Sequence, residues 1–487
     1  MLEGAAAAPP GPAGRLKITG LAADSRAVRP GDLFVALKGQ KHDGHEHAAD
    51  VARRGAAAIL AERPLPGKVP VIVVPSTLAA LSRVSANFYG HPSRGMTVAG
   101  VTGTNGKTTT TYMLESIFRA AGFSPGVIGT INYRWGTHSE KAPNTTPLSL
   151  DLQRLLARMK AAGVTHVAME VSSHALALGR VEDVAFSSAL FTNLTRDHMD
   201  FHKDMEAYFE AKARLFDLLR APNGPGGFAI INRDDPWAEK FIARARGERV
   251  LTFALQATAA AFRAESISLT AEGTTFLCRH SAGSYEVKIR AVGAHNVYNA
   301  LGAAAMARGL GLPDDQVKKG LADLPGVPGR LERVEGPDPR PFSVFVDYAH
   351  TDDALRNVLE TLRPLTKGRL ITVFGCGGDR DRTKRPLMGQ VAVRLSDHAI
   401  VTSDNPRTED PARILADIEA GILQAGGTRY ELIEKREAAI EKAVWLCRAG
   451  DVVLIAGKGH ETYQIFKDRT IDFDDREVAR AALAGLP

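Results

Sequence analysis

The segment VTGTNGKTTT, residues 101–110, carries the residue types that bind phosphate. Gly103 and Gly106 allow a tight turn whose backbone N–H groups can face phosphate oxygens. Lys107 can reach the β- and γ-phosphates, and the Thr108 hydroxyl can ligate Mg²⁺. A helix starting near Thr108 adds the positive end of its dipole. The strict spacing G-x-x-x-x-G-K-[ST] is not met. Its first position falls on Val101, and Gly100 is one residue too early. GTNGKT is therefore the core of a variant loop. The competing reading is a glycine-rich connector with a solvated lysine; a strand before and a helix after favour the nucleotide loop.

Two further clusters offer acids and imidazoles. EVSSH, 170–174, ends a strand candidate, so Glu170 should face the phosphate loop. TNLTRDHMDFH, 192–202, offers Asp197, His198, Asp200 and His202. Mg²⁺ on a transferring phosphate needs hard oxygen ligands, and imidazole is less usual. Any one of these residues alone reads as a solvated loop residue. Two such clusters beside a phosphate loop reverse that preference. The helix expected over 205–219 holds an anomaly: Lys212 interrupts its apolar stripe, four residues after Tyr208 and four before Phe216. One reading is a stem that snorkels to solvent. The other is a lysine entering an active site with a depressed pKa, available for chemistry.

These groups need rigid elements to hold them, and the chain is long enough to supply them. Its 487 residues suggest three domains at roughly 150 residues each. With 44% hydrophobic and 24% charged residues, it can build large cores, which excludes disorder over most of its length. Cys278, Cys376 and Cys447 are far apart, which excludes a disulfide scaffold or zinc ribbon and suits a reducing, cytoplasmic setting. The start, MLEGAAAAPPGPAG, does not read as a signal peptide, and residues 1–14 are expected to be a disordered tail. No apolar run of about 18 residues exists to span a membrane. The net charge of +6 comes without a dense Lys/Arg tract interleaved with aromatics, so no nucleic-acid partner is expected. An acidic small molecule is compatible with it.

The expected fold class is α/β with three domains. Residues 15–92 form a small α/β domain, with apolar runs at 33–37, 56–60 and 71–74, and GHPSRG (90–95) as linker. Residues 93–328 alternate strand candidates (MTVAGV, PGVIGT, VTHVAMEV, SSALFTNL, GFAIIN) with helices, as in a mostly parallel sheet covered on both faces. Residues 250–290 look like an antiparallel insertion, and a helix near 296–309 closes the domain. DLPGVPGR, 323–330, is the second linker. Residues 329–487 form a Rossmann-like domain in which FSVFVDYAH, RLITVFGCGG, HAIVTSDNPR and DVVLIAGKGH each end in a polar loop. Ligands of open α/β sheets sit beyond the carboxyl ends of strands, so these loops should converge.

Taken in order, the motifs resemble the Mur ligase family, ATP-dependent amide-forming enzymes of peptidoglycan precursor synthesis. They are DSR 24–26, GTNGKTT 103–109, NTTP 144–147, EVSSHAL 170–176, FTNLTRDHMDFH 191–202, AKARLF 211–216, GAHNVYNALGA 293–303, GRLERV 329–334, VDYAHT 346–351, GCGGDRDRTKRP 375–386, DNPR 404–407 and GKGHE 457–461. DNPR resembles the signature of the branch that adds meso-diaminopimelate; the lysine-adding branch has another residue in place of Arg407. The resemblance implies that Ser25, Gln40, Lys41 and His42 hold a uridine nucleotide. Asn144, Thr145, Thr146, Ser172 and Arg180 would hold its muramoyl-dipeptide part. Gly103, Thr104, Asn105, Gly106, Lys107, Thr108, Thr109, Asn299, Arg330 and Asp347 would hold ATP. Thr108, Glu170, His198 and Lys212, the last as a carbamate, would form the Mg²⁺ environment. Lys107, Lys212 and His198 would serve the reaction. Arg380, Asp404, Asn405, Pro406, Arg407, Gly457 and Glu461 would hold diaminopimelate.

The chemistry agrees with that assignment. Diaminopimelate ends in an ammonium and a carboxylate, whereas lysine has only the ammonium there. Arg407 can bind the carboxylate bidentately, and Glu461 can pair with the ammonium. Two positions depart from the family pattern: Leu178 stands where many members carry Gln, and Asp352 where Pro is usual. The resemblance thus implies a cytoplasmic, monomeric ligase acting through an acyl phosphate, with ATP between middle and last domains. Its rivals are a lysine-adding or folylpolyglutamate-type ligase, disfavoured by Arg407 and by DSR with NTTP, and a nucleotide switch without ligation.

Overall fold

The computed structural model describes residues 1–4, 16–39, 42–220, 227–245, 247 and 249–486. Gln40, Lys41 and most of the expected tail lie outside them. Met1 and Glu3 are not tail-like: both carbonyls accept hydrogen bonds from Asn87 Nδ2, at 2.7 and 2.9 Å. The chain forms two compact units. The first comprises Met1–Arg263, Arg279–Gly283 and Tyr298–Gly320; the second comprises Ala264–Cys278, Ser284–Val297 and Leu321–Pro487. Among the described residues, no helix is long and apolar enough to cross a membrane.

The first unit opens with a four-stranded parallel sheet, Gly20–Ala22, Asp32–Val35, Ala58–Ala61 and Val71–Val73. Its larger sheet centres on strand Thr97–Thr102, flanked in parallel by His166–Glu170 and Ser188–Phe191. Pro125–Ile128 lies beyond the first of these, and Phe228–Asn232 then Arg249–Ala254 beyond the second, all parallel. A hairpin, Asn132–Trp135 with His138–Lys141, adds antiparallel strands at the edge. The central strands are buried on both faces, which is why they read as near-continuous apolar runs. Arg249–Ala254 corrects one expectation: it opens the 250–290 stretch that reads as an antiparallel insertion, but it pairs in parallel with Phe228–Asn232. Short apolar runs do not reveal strand direction; the connection through helix Ala238–Arg244 makes this one parallel.

In the second unit, strands Ser343–Asp347, Val452–Ala456, Leu370–Phe374, His398–Val401 and Tyr430–Leu432 run parallel, with Glu332–Val334 antiparallel at the edge. Successive side chains go to opposite faces. Phe345, Leu370, Phe374 and Leu454 pack against Leu359, Met388, Ile414 and Ile418 of three helices. Val344, Val346, Ile371, Val373 and Ile455 pack against Ala439, Ile440, Ala443 and Ala479 on the other side. Two covered faces leave only the strand ends for chemistry. Asp352 opens the helix Asp352–Leu362, which Thr351 caps through the N–H of Ala354 at 3.2 Å; an acid in a first turn suits the helix dipole.

Candidate active site

In the first unit, strand Thr97–Thr102 runs into the GTNG turn and then helix Lys107–Ala120. Gly106 has φ 87°, and a Cβ there would lie 2.3 Å from Asn299 Oδ1, so both backbone and space require glycine. The same contact places Asn299 against the loop. The loop is held from the neighbouring strand end: Asn105 N–H donates to Asn193 Oδ1 at 3.0 Å, and Thr192 Oγ1 donates to Asn105 O at 2.6 Å. Thr104 Oγ1 donates to Thr195 O at 3.1 Å and lies 3.3 Å from the Tyr208 hydroxyl.

Lys107 Nζ folds back onto the loop carbonyls of Gly103, at 2.9 Å, and Thr104, at 2.8 Å. Lys212 Nζ reaches the same Gly103 carbonyl at 2.8 Å. Lys212 is only 1% exposed and does not snorkel. Burial, reinforced by the Lys107 charge, pushes its pKa well below 10.5 against a weaker pull from Asp197. The Tyr208 ring centroid lies 4.4 Å from Nζ. His198, at φ 55°, lies beside Asp197 at 3.4 Å and edge-on to His174 at 4.8 Å between ring centroids. Burial is the main cause lowering its pKa, and Lys107 and Lys212 add to that, while Asp197 opposes.

Glu170 ends its strand facing the helix N-terminus, as its position implied. Its Oε2 accepts from Thr108 Oγ1 and Thr130 Oγ1, both at 3.0 Å, and Oε1 accepts from Thr130 N–H at 2.8 Å. NTTP joins the same edge. Thr145 Oγ1 is 3.1 Å from Thr130 Oγ1, and Thr146 Oγ1 donates to Glu170 O at 2.8 Å. Ser172 N–H donates to Thr146 Oγ1 at 3.1 Å, while the Ser172 side chain caps helix Ser173–Ala177. Arg180 donates to Thr146 O at 3.1 Å, and its buried Nε has no partner among the described residues. Asn144 contributes its carbonyl to the Tyr133 hydroxyl at 2.5 Å. Thr109 is buried in the first turn of the loop helix. Leu178 is the residue that ends helix Ser173–Ala177.

In the four-stranded sheet region, half-buried Ser25 opens a short turn capped by Asp24. Arg26 pairs with Asp24 and holds its pKa at about 2. His42 is exposed, and its carbonyl accepts from Gly39 N–H at 2.9 Å.

In the second unit, Asp347 ends its strand with both oxygens engaged: Leu331 N–H at 2.7 Å and Ala349 N–H at 2.8 Å. Burial raises its pKa, opposed by Arg330 and those two donors. Arg330 lies over the Tyr348 ring at 5.0 Å. The GCGGDR and DNPR loops clasp one another. Thr408 Oγ1 donates to Asp379 Oδ1 at 2.7 Å, and Arg407 Nη1 donates to Gly378 O at 2.7 Å. Arg407 itself sits at φ 53°, its N–H bound to Ile465 O at 3.0 Å. Its other guanidinium N–H groups have no partner among the described residues. Buried Pro406 lies beneath Gly378, and Arg380 is exposed. Asp404 is buried, with Asn405 N–H on Oδ1 at 2.6 Å. A Cβ on Gly457, at φ 116°, would lie 2.7 Å from Asp404 Oδ2. Asn405 Nδ2 donates to Glu461 Oε2 at 2.8 Å.

Sequence reasoning missed several supports. Thr130 holds Glu170, and Thr192 and Asn193 hold the loop. Buried Arg436 pairs with Asp475 at 2.7 Å, and Lys458 is buried beside Glu461. Thr130, Thr192 and Asn193 all follow the carboxyl ends of parallel strands, a position that could have nominated them.

The fold is that of a mostly parallel α/β ligase with a glycine-rich loop between the central strand and a helix N-terminus. Residues 17–89, 101–307 and 329–459 match, in turn, the Mur ligase family catalytic domain, the Mur ligase middle domain and the Mur ligase glutamate ligase domain. The chain belongs to the Mur ligase family. It is 48% identical over 471 residues to the UDP-N-acetylmuramoyl-L-alanyl-D-glutamate--2,6-diaminopimelate ligase of Solibacter usitatus, covering 96% of this chain and 94% of that one. It is 47% identical over 476 residues to the enzyme of the same name from Bacillus velezensis, covering 96% and 95%. A solved structure bearing that name aligns over 96% of this chain and 94% of its own, at 34% identity and TM-score 0.71.

Proposed function

We propose that this protein is an ATP-dependent ligase that joins meso-diaminopimelate to UDP-N-acetylmuramoyl-L-alanyl-D-glutamate, as a cytoplasmic monomer. One observation carries the choice of amino acid. The DNPR and GKGHE loops offer Arg407 guanidinium N–H groups and a Glu461 carboxylate from one hydrogen-bonded loop system. A cation and an anion together suit an amino acid whose far end bears both charges. The relatives' names agree with this reading.

The γ-phosphoryl group of ATP passes to the D-glutamate carboxylate, giving ADP and an acyl phosphate. The diaminopimelate amine attacks the acyl carbon and loses a proton, and the tetrahedral intermediate expels phosphate as the amide forms. Lys107 exchanges its loop carbonyls for phosphate oxygens, which are stronger, charged acceptors. Thr108 and Glu170 present hard oxygens at the helix N-terminus, and this donor set fits Mg²⁺. When bound there, Mg²⁺ supplies positive charge that favours phosphoryl transfer. A lysine amine is a poor ligand for that ion, but a carbamate on Lys212 would add oxygens and a fixed negative charge. Burial lowers the Lys212 pKa, which favours the neutral amine that takes up CO₂. Asn299, Arg330 and Asp347 serve the nucleotide. Ser25 and His42 serve the uridine end of the acceptor, and Thr145, Thr146, Ser172 and Arg180 its peptide end.

The test is phosphate release from ATP with the UDP-muramoyl dipeptide, adding meso-diaminopimelate or L-lysine in parallel, with mass detection of product. Tripeptide formed with diaminopimelate alone is expected. Turnover with lysine instead would overturn the reading of Arg407, and turnover with neither would overturn the ligase assignment.

A further inference from the structure

The GKGHE segment contains an ammonium that the reaction above leaves without a task. Lys458 is fully buried. Its Nζ donates to Tyr463 O at 2.5 Å, Glu461 Oε2 at 3.1 Å and Asn405 Oδ1 at 3.3 Å. Three acceptors engage its three N–H donors, so none is left for a substrate. Asn405 Oδ1 also accepts from Ile465 N–H at 2.9 Å. Two donors on that oxygen fix the amide orientation, and Nδ2 must then face Glu461, as it does at 2.8 Å. Glu461 is therefore gripped through Oε2 by two donors. Its Oε1 has no partner among the described residues.

We infer that Lys458 is a positioning and specificity-determining residue for diaminopimelate. Through Asn405 and Glu461 it turns one carboxylate oxygen inward and leaves the other for the amino acid's far ammonium. The inference rests on the assignment of these loops to diaminopimelate. Charge balance gives Lys458 its second effect. Lys458 offsets the Glu461 carboxylate it touches, so this pair sums to zero, and loss of the ammonium would leave one negative charge. The far end of diaminopimelate, ammonium plus carboxylate, also sums to zero, whereas the far end of lysine carries a net positive charge. With Lys458 the loops match the zwitterion. Without its charge the Glu461 carboxylate is left unbalanced, and a lone ammonium becomes the better match.

The experiment is a double-mutant cycle. kcat and KM are measured for all three substrates in the wild type, Lys458→Met, Lys458→Gln, Glu461→Gln and Lys458→Met/Glu461→Gln, with diaminopimelate or L-lysine as acceptor. Lys458→Met is expected to raise KM for diaminopimelate about tenfold, with kcat and the other two KM values changed less than about threefold. The preference for diaminopimelate over lysine should fall by a similar factor. In the Glu461→Gln background the added effect of Lys458→Met should shrink below about threefold, because its target charge is gone. Lys458→Gln keeps two N–H donors and loses the charge. It supplies the lowered preference if the methionine variant does not fold. Equal effects in both backgrounds, an unchanged preference in a folded variant, or a uniform rise in all three KM values would overturn the inference. A wild type that uses lysine instead of diaminopimelate would overturn the loop assignment itself, so the two failures are distinguishable.

Discussion

Lys212→Met tests the chemistry of the phosphate loop most directly. Methionine has nearly the volume of lysine and no charge, so the packing around Tyr208 and Phe216 is kept. The Gly103 carbonyl retains its bond from Lys107. The fold should therefore lose little: one hydrogen bond, about 1 kcal/mol, set against relief from burying an amine. The pH dependence fixes the sign. In the folded protein the Lys212 pKa lies well below its unfolded value of 10.5. Between those two values the unfolded chain binds more protons, so stability rises with pH, by up to about 1.4 kcal/mol per pH unit. The burial penalty is complete below the folded pKa and gone above 10.5. Lys212→Met should remove that slope from urea unfolding measured across the alkaline range. Activity should behave differently. If the lysine carries a carbamate that places charge beside the phosphates, its loss should lower kcat about 10²–10³-fold, as for other single preorganised charges. Phosphate release at saturating substrates measures it, and uptake of labelled bicarbonate by the wild type, absent in the variant, reports the carbamate. Addition of acetate to Lys212→Ala should restore part of the rate. Full activity in Lys212→Met would refute the reasoning.

Other substitutions separate the remaining parts. Arg407→Ala should lower kcat/KM for diaminopimelate about 10–150-fold, the worth of a charged hydrogen bond, while leaving KM for ATP unchanged in initial-rate assays. Gly457→Ala must accommodate φ 116° and a Cβ 2.7 Å from Asp404 Oδ2, so it should cost about 1–3 kcal/mol in urea unfolding and raise KM for diaminopimelate. Arg436→Leu strands the buried Asp475 carboxylate and should cost about 3–5 kcal/mol. Recovery of the urea midpoint in Arg436→Leu/Asp475→Leu would tie that loss to the unpaired charge.

The family, the mostly parallel sheets and the phosphate loop were legible because they are local. GTNGKT needs its glycines, lysine and threonine within six residues, and apolar runs between polar loops mark buried strands. The Lys212 anomaly was legible too, since a helix places residues four apart on one face. The alternatives there, snorkelling or burial, were open because both share one sequence pattern. Only the position of the Gly103 carbonyl, 109 residues away, shows where Nζ goes.

The sequence by itself determined the family, the order of its motifs and which residues are candidates for the chemistry. Only the tertiary structure decided how they are held. Glu170 gains Thr130 and Thr108 from two other segments, and Glu461 gains Asn405 from the DNPR loop. The direction of strand Arg249–Ala254 likewise emerged only from its partner, Phe228–Asn232. Periodicity and motif spacing report on neighbours along the chain. Hydrogen bonds between strand ends, and the burial that shifts Lys212, arise from residues tens to more than a hundred positions apart, which no local pattern records.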